Sequence, residues 1–325
     1  MAVIFSTHGL HPDVTARLMA AANYRVASAP TAAAIMAEGL DADVVIVRAP
    51  IPAEYFAAAP NLRAAVRHGA GLDMIPMQAA TDAGVLVTNV PGANAGTVAE
   101  HVIFAAIALR RQFRSVDSAM RTQGWTAGRA FSDLGRDLSA ATLGVLGMGN
   151  IGRSLTHMAQ VGFGMQVITT TRRPNDVPQG VRAVTLDELA AQADVLVLCC
   201  PLTDETRSAI SAARIAMMRA GAVLINVSRG PVVDTPALVS ALTHRRILGA
   251  ALDVFDAQPL PTDSPLFALD NVILTPHMAG VTQDSMLRLG DRAADQVIAV
   301  LHNKMPQNLC NLDVLARFRA RFPDH

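Results

Sequence analysis

Along the chain, short runs of β-branched and aliphatic residues alternate with longer Ala-rich stretches of helical character. In the first third, residues 3–6, 44–47, 64–66 and 85–88 are predicted strands, and residues 12–21 and 31–38 are predicted helices between them. This alternation predicts an α/β protein with parallel sheets. Residues 97–111 (TVAEHVIFAAIALRR) contain no Gly or Pro and are strongly apolar, which predicts a long helix buried in a core or against a second subunit. The stretch 124–135 around Trp125 is predicted as irregular loop. A second alternation follows, with predicted strands at 142–146, 165–169, 195–199, 223–227, 250–254 and 272–274.

Ligands of an open parallel sheet sit beyond the carboxyl ends of its strands, so the chemistry is sought there. The first such end in the second alternation is Gly147-Met148-Gly149-Asn150-Ile151-Gly152, a GxGxxG between the strand TLGVL and a predicted helix at 151–161. That is the context a dinucleotide fingerprint requires. Gly147 permits the tight turn, Gly149 admits the pyrophosphate to the backbone amides, and Gly152 allows close helix–strand packing.

NAD binders place an acidic residue at the end of the next strand, for the ribose hydroxyls. Here that end offers Thr170, Thr171, Arg172 and Arg173, with no carboxylate before Asp176. Two hydroxyls and two guanidinium groups suit a 2′-phosphate that a carboxylate would repel. NADP(H) is therefore expected in preference to NAD(H).

Further polar segments end the later strands: Pro201-Leu202-Thr203-Asp204-Glu205-Thr206, Asn226-Val227-Ser228-Arg229-Gly230, Leu252-Asp253-Val254-Phe255-Asp256-Ala257-Gln258-Pro259 and Thr275-Pro276-His277-Met278-Ala279-Gly280. Together with GMGNIG and in this order, they resemble the D-isomer-specific 2-hydroxyacid dehydrogenase family. That family includes phosphoglycerate, glycerate, lactate and formate dehydrogenases and glyoxylate/hydroxypyruvate reductases. The resemblance covers nearly the whole chain. It implies two Rossmann-like, doubly wound parallel-sheet domains, the cofactor domain (98–286) being inserted into a substrate domain (1–97 plus 287–325). Substrate would bind in a cleft whose closure excludes water.

By the same resemblance, Arg229 pairs with the substrate carboxylate and polarises its 2-oxo group, and His277 is the general acid in reduction and base in oxidation. Asp253 holds the nicotinamide carboxamide, while Cys200, Pro201, Thr206, Val227, Ser228 and Gly280 line the cofactor. Residues 66–73 (VRHGAGLD) resemble the loop whose amides, around Gly69, Ala70 and Gly71, grip the substrate carboxylate. One position departs from the pattern. The family partners its His with a Glu five residues after the Asp of LDV, and here that residue is Gln258. Gln can orient the ring but supplies no charge, so His277 is expected to titrate lower than beside a Glu, with reduction favoured at more acidic pH. Asp256 stands at the wrong offset to substitute.

The expected activity is an NADPH-dependent reduction of a small 2-oxo acid such as glyoxylate or hydroxypyruvate. A Gln at this position is also the pattern of formate dehydrogenases, which makes formate oxidation an alternative, although TTTRR and the compact start do not match that branch. A dinucleotide-sensing protein like the corepressors that keep this fold is a second alternative. Arg48 and Arg67, with His8 and His68 nearby, are candidates for a second anionic group on a phosphorylated or dicarboxylic substrate.

Composition narrows the rest. The chain has 325 residues, 51% of them hydrophobic, with 27 basic and 27 acidic side chains, which argues against a nucleic-acid or polyanion binder. Cys199, Cys200 and Cys310 show no metal-ligand spacing and fit a reduced, cytoplasmic chain. Neither a signal peptide nor an apolar stretch of membrane-spanning length is evident, so no membrane partner is expected. The apolar helix at 97–111 leads to the expectation of a homodimer.

Overall fold

The computed structural model describes residues 1–139 and 141–323. It divides into two compact units, Met1–Asn94 with Val281–His325, and Ala95–Gly280. No helix among the described residues is long and apolar enough to cross a membrane.

The first unit is built on β1 (Val3–Ser6), β2 (Asn23–Val26), β3 (Val44–Val47), β4 (Ala64–Arg67) and β5 (Leu86–Thr88), all parallel in the order β2-β1-β3-β4-β5. Successive side chains leave opposite faces of the sheet, and both faces are covered. Ile4, Val44, Ile46, Ala64 and Val66 pack on one face against Leu289, Ala293, Val297 and Phe318. Phe5, Val45, Val47 and Ala65 pack on the other against Ile35, Tyr55, Phe56 and Leu62. The returning helix Gln283–Leu301 starts with a capping box between Thr282 and Ser285. Beyond it, Asn311 accepts Val87 N at 2.8 Å and donates to Thr81 Oγ1 and Val85 O, so the last segment runs along the β5 edge.

The second unit carries β6 (Thr142–Leu146), β7 (Gln166–Thr170), β8 (Val181–Ala183), β9 (Val195–Leu198), β10 (Val223–Asn226), β11 (Gly249–Leu252) and β12 (Val272–Leu274). They are parallel in the order β12-β11-β10-β9-β6-β7-β8. The chain runs outward in both directions from the β6–β9 pair, which makes that pair the topological switch point. Leu143, Val145, Val195, Val197 and Ile225 face Val102, Leu109 and Leu155 on one side. Leu196, Leu198 and Leu224 face Leu189, Ile215 and Leu238 on the other. The expected doubly wound architecture is present in both units.

The strands with continuous apolar runs lie within one or two residues of their predicted ends. Two strands were not predicted: β2 (NYRV) and β8 (VRA) both lie at sheet edges, where exposed positions replace the apolar run. The loop expected at 124–135 is corrected in part. Trp125–Arg129 forms a helix and Ser132–Leu134 a 3-10 turn, both too short to show a period in the sequence. The long apolar helix spans Ala95–Arg110; its Val98, Val102, Ala106 and Leu109 are buried, but Phe104 is 59% and Ile107 40% exposed.

Candidate active site

The turn after β6 is shaped by its glycines. Gly147 has φ +101°, and a Cβ there would lie 2.9 Å from the Cys200 backbone at the end of β9. A Cβ on Gly152 would run into Gly147 O, whereas one on Gly149 would meet nothing. Gly147 N donates to Thr170 O at 3.0 Å, and Cys199 Sγ donates to Gly147 O at 3.0 Å, which ties the turn to β7 and β9. The helix Asn150–Phe163 starts at Gly149 with no side-chain cap. Its first amides, of Asn150, Ile151 and Gly152, have no protein acceptor among the described residues. Free amides, a helix N-terminus and open space above Gly149 fit a pyrophosphate.

At the end of β7, Thr170 Oγ1 donates to Val184 O and Thr171 Oγ1 accepts Arg173 N. Arg173 pairs with Asp176 at 3.4 Å. Arg172 is exposed and has no side-chain partner among the described residues. A third guanidinium reaches this corner: Arg153 pairs with Asp176 at 2.8 Å. Sequence reasoning missed Arg153, although its place in the first turn after GxGxxG aims it toward the neighbouring strand end.

At the end of β9, Cys200 is 8% exposed and burial pushes its thiol up to about 11; burial raises Cys199 further. Neither thiol is a nucleophile at neutral pH. Thr206 Oγ1 donates to Pro201 O at 2.8 Å and accepts Thr203 N at 2.7 Å, which closes the 201–206 loop. Val227 N bonds Leu198 O. Asn226, another residue the motifs did not single out, organises the next turn. Its Oδ1 accepts the Ser228 amide and hydroxyl at 3.0 and 2.8 Å, and its Nδ2 donates to Arg229 O at 3.0 Å. Arg229 Nη1 donates to Ser228 O at 2.7 Å.

His277 follows β12 with φ +54°, a left-handed conformation that costs a non-glycine residue about 1 kcal/mol. Asp253, 3% exposed, holds it there. Its Oδ1 accepts Thr275 Oγ1 at 2.6 Å and Met278 N at 2.8 Å, its Oδ2 accepts Ala279 N at 2.9 Å, and its main-chain oxygen accepts His277 N at 2.8 Å. Gly280 ends this turn. His277 Nδ1 lies 3.2 Å from Gln258 Oε1. With the amide oxygen accepting, Nδ1 carries the hydrogen and Nε2 is the nitrogen that exchanges protons. His101 is half-buried, and burial lowers its pKa against the opposing charge of Asp253.

In the first unit, the loop after β4 is held from below by Arg67. Its Nε donates to Gly71 O at 2.9 Å, and its Nη1 donates to Val47 O at 3.0 Å and His68 O at 2.8 Å. Val90 N takes Gly69 O at 2.8 Å and Asn89 Nδ2 takes Ala70 O at 2.7 Å. With these carbonyls engaged, the Ala70 and Gly71 amides have no acceptor among the described residues. Arg67 thus braces the loop. Arg48 donates to Gly9 O and has no carboxylate partner among the described residues. His68 is 4% exposed, and burial with the charges of Arg48 and Arg67 lowers its pKa to about 3. His8 is exposed, with Nδ1 3.5 Å from Gly9 O.

Known proteins show the same organisation. Residues 103–279 match the profile of the D-isomer specific 2-hydroxyacid dehydrogenase NAD-binding domain. A glyoxylate reductase of Korarchaeum cryptofilum is 37% identical over 279 residues, covering 85% of this chain and 84% of that protein. The structure superposes on the TT0316 protein of Thermus thermophilus with a TM-score of 0.87 and 32% identity, covering 94% of this chain and 99% of that one. It superposes on an NADPH-dependent glyoxylate/hydroxypyruvate reductase of Sinorhizobium meliloti, in complex with NADP and malonate, with a TM-score of 0.83 and 26% identity over 96% of this chain and 97% of that one. Profile, relatives and motif order agree: the chain is an oxidoreductase with a dinucleotide-binding domain, and it belongs to the D-isomer-specific 2-hydroxyacid dehydrogenase family.

Proposed function

We propose that the chain is an NADPH-dependent reductase of a small 2-oxo acid, of the glyoxylate or hydroxypyruvate kind. The Gln258–His277 pair at 3.2 Å carries this reading, because it orients a proton donor at the end of a strand in the cofactor-binding unit. The names of the Korarchaeum and Sinorhizobium relatives support the substrate class. Arg172 and Arg173 at the end of β7, with no carboxylate before Asp176, support NADP(H).

Bound nicotinamide supplies the hydride that the 2-oxo carbon accepts. Arg229 pairs with the substrate carboxylate and draws electron density from the 2-oxo group. His277 Nε2 delivers the proton to the oxygen, and the product is a 2-hydroxy acid. The Ala70 and Gly71 amides are further donors for the substrate carboxylate in this reading, supported by their lack of an acceptor among the described residues. Asp253 holds the carboxamide as well as the His277 turn. Pro201, Thr206, Val227, Ser228 and Gly280 line the cofactor, with Cys200 behind them.

We further propose a homodimer. Phe104 and Ile107 of one helix and Val161 of the neighbouring helix, 75% exposed, line an apolar groove with Ile103, Met158 and Phe163. Light scattering on the purified protein checks it. Unpaired cysteines support a reducing compartment such as the cytoplasm.

A panel of 2-oxo acids assayed with NADPH and NADH in parallel, with formate included in the oxidative direction, tests the activity. Turnover of glyoxylate or hydroxypyruvate with a higher kcat/KM for NADPH is expected. Tight cofactor binding with no turnover of any 2-oxo acid points to a sensor, and formate oxidation points to the formate dehydrogenase branch. Either result overturns the reading.

A further inference from the structure

The corner beside the dinucleotide turn holds more charge than the strand end alone provides. The segment after β7 folds back on itself: Arg173 N donates to Thr171 Oγ1 at 3.3 Å and Asp176 N to Arg173 O at 3.1 Å. This brings Asp176 to the first turn of the Asn150–Phe163 helix. There Arg153 Nη2 meets Asp176 Oδ1 at 2.8 Å and the Asp176 main-chain oxygen at 2.6 Å. Arg173 Nη1 meets the other carboxylate oxygen, Oδ2, at 3.4 Å. Arg172, next to Arg173 in sequence, is exposed and has no side-chain partner among the described residues.

Two guanidinium groups on one carboxylate leave a surplus of one positive charge, and the exposed Arg172 adds a second. The surplus sits where the carboxyl ends of β6 and β7 meet, since Gly147 N is bonded to Thr170 O. A phosphate monoester carries about −1.5 to −2 near neutral pH and offers three acceptor oxygens. The charge and the number of donors match. The ion pairs that now occupy Arg153 and Arg173 are solvent-exposed, with Asp176 56% accessible, so exchanging them for a dianion costs little.

We propose that Arg153 is a specificity-determining ligand for the 2′-phosphate of NADP(H), and that Asp176 is the counter-ion that holds Arg153 and Arg173 in position until the phosphate replaces it. This rests on the NADP(H) reading above and extends it to two residues outside the strand-end motif. Arg153 contributes to both cofactors only through the loop it braces, but to NADP(H) through a charge-assisted bond. Asp176 retains its charge beside the bound phosphate after the guanidinium groups leave it, so it lowers NADP(H) affinity.

Binding of NADPH and NADH in the absence of substrate, followed by nicotinamide fluorescence, is the direct test, with 2′,5′-ADP and 5′-ADP as competing fragments. The wild type is expected to bind NADPH and 2′,5′-ADP more tightly than NADH and 5′-ADP. Arg153→Ala should weaken NADPH by ~10–100-fold, the range for loss of one charged hydrogen bond, and NADH by less than about 2-fold. Arg153→Lys should recover part of the loss. Asp176→Asn, which keeps an oxygen for Arg153 but removes the charge, should tighten NADPH by about 2–5-fold and leave NADH unchanged. A wild type that prefers NADH overturns the NADP(H) reading itself. A wild type that prefers NADPH, with Arg153→Ala and Arg153→Lys weakening both cofactors equally, leaves that reading intact and reduces Arg153 to a strut. Selective loss of NADH by Asp176→Asn makes Asp176 a ribose-hydroxyl acceptor and overturns its part as counter-ion.

Discussion

The turn after β6 and the loop after β4 both leave main-chain amides without an acceptor among the described residues, yet only the first runs into a helix. In Gly147–Gly152 the donors belong to the uncapped start of the Asn150–Phe163 helix, so continuation of the chain aligns them and the helix dipole adds to their field. The Ala70 and Gly71 amides have no helix behind them. Their orientation depends on turning the neighbouring carbonyls away, and Arg67 does this with hydrogen bonds to His68 O and Gly71 O while it is anchored on Val47 O of β3, helped by Asn89. One proposed anion site thus rests on the backbone, while the other rests on a side chain. The first fails when a glycine gains a side chain; the second fails when an arginine loses one.

The largest expected effect is at Gly147. A methyl group there meets the Cys200 backbone at 2.9 Å with φ +101°, so Gly147→Ala should weaken NADPH binding by more than about 100-fold, read by fluorescence titration. The first unit and its loop should be untouched. Arg67→Ala is the converse. It should raise the KM for the 2-oxo acid by ~10–100-fold with the Kd for NADPH unchanged, and Arg67→Lys should not restore it, because a single ammonium cannot span the fork of acceptors. A rise in the NADPH Kd alone would break the contrast between the two loops.

His68, at the base of the same loop, sharpens it. Burial, with Arg48 and Arg67, lowers its pKa from 6.5 to about 3. The unfolded chain then binds a proton that the folded one refuses, so stability is full above about pH 6.5 and falls as pH drops from 6.5 toward 3. Between pH 6.5 and 5 the loss attributable to His68 is roughly 2 kcal/mol, and His68→Gln should remove that part of the slope in denaturant titrations. A slope that stays the same would show that His68 is not the group refusing the proton. The smallest effect is expected at Gln258, which touches neither loop. Gln258→Glu should shift the falling limb of the pH profile for reduction upward by about one unit, since a carboxylate favours the protonated His277 that donates the proton. Cofactor and substrate binding should be unchanged, and a profile that does not move removes Gln258 from the proton relay.

The contrast between the two loops also explains what could be read from residue order. Buried strands such as Val44–Val47 announce themselves because both faces are covered, whereas the edge strands β2 and β8 do not. GxGxxG is legible because Gly147 and Gly152 answer to local sterics. The brace under Gly69–Gly71 is not, because Arg67 looks like any residue ending a strand until its guanidinium is seen folded under the chain. The role of Asn226 is hidden for the same reason, and so is the part of Asp253 in holding the His277 turn. Each is a single polar residue at a strand end, and its importance lies in the remote main-chain groups it gathers: Ser228 and Arg229 for one, the 275–279 turn for the other. Arg153 and Asp176 are 23 positions apart and meet only because a strand and a folded-back loop return the chain to the helix start.

The division of the first unit into 1–94 and 281–325 has a consequence for biosynthesis. The ribosome delivers every residue of Ala95–Gly280 before it delivers the Gln283–Leu301 helix or Asn311, which cover one face and one edge of the first sheet. At ~5–20 residues per second the 45 residues from 281 to 325 take about 2–9 s to appear. During that interval the nascent β5 edge and the apolar face around Ile4, Val44 and Val66 have no cover of their own. The inserted unit is by then complete, with both faces of its sheet covered by its own residues, while its host still waits for residues 281–325.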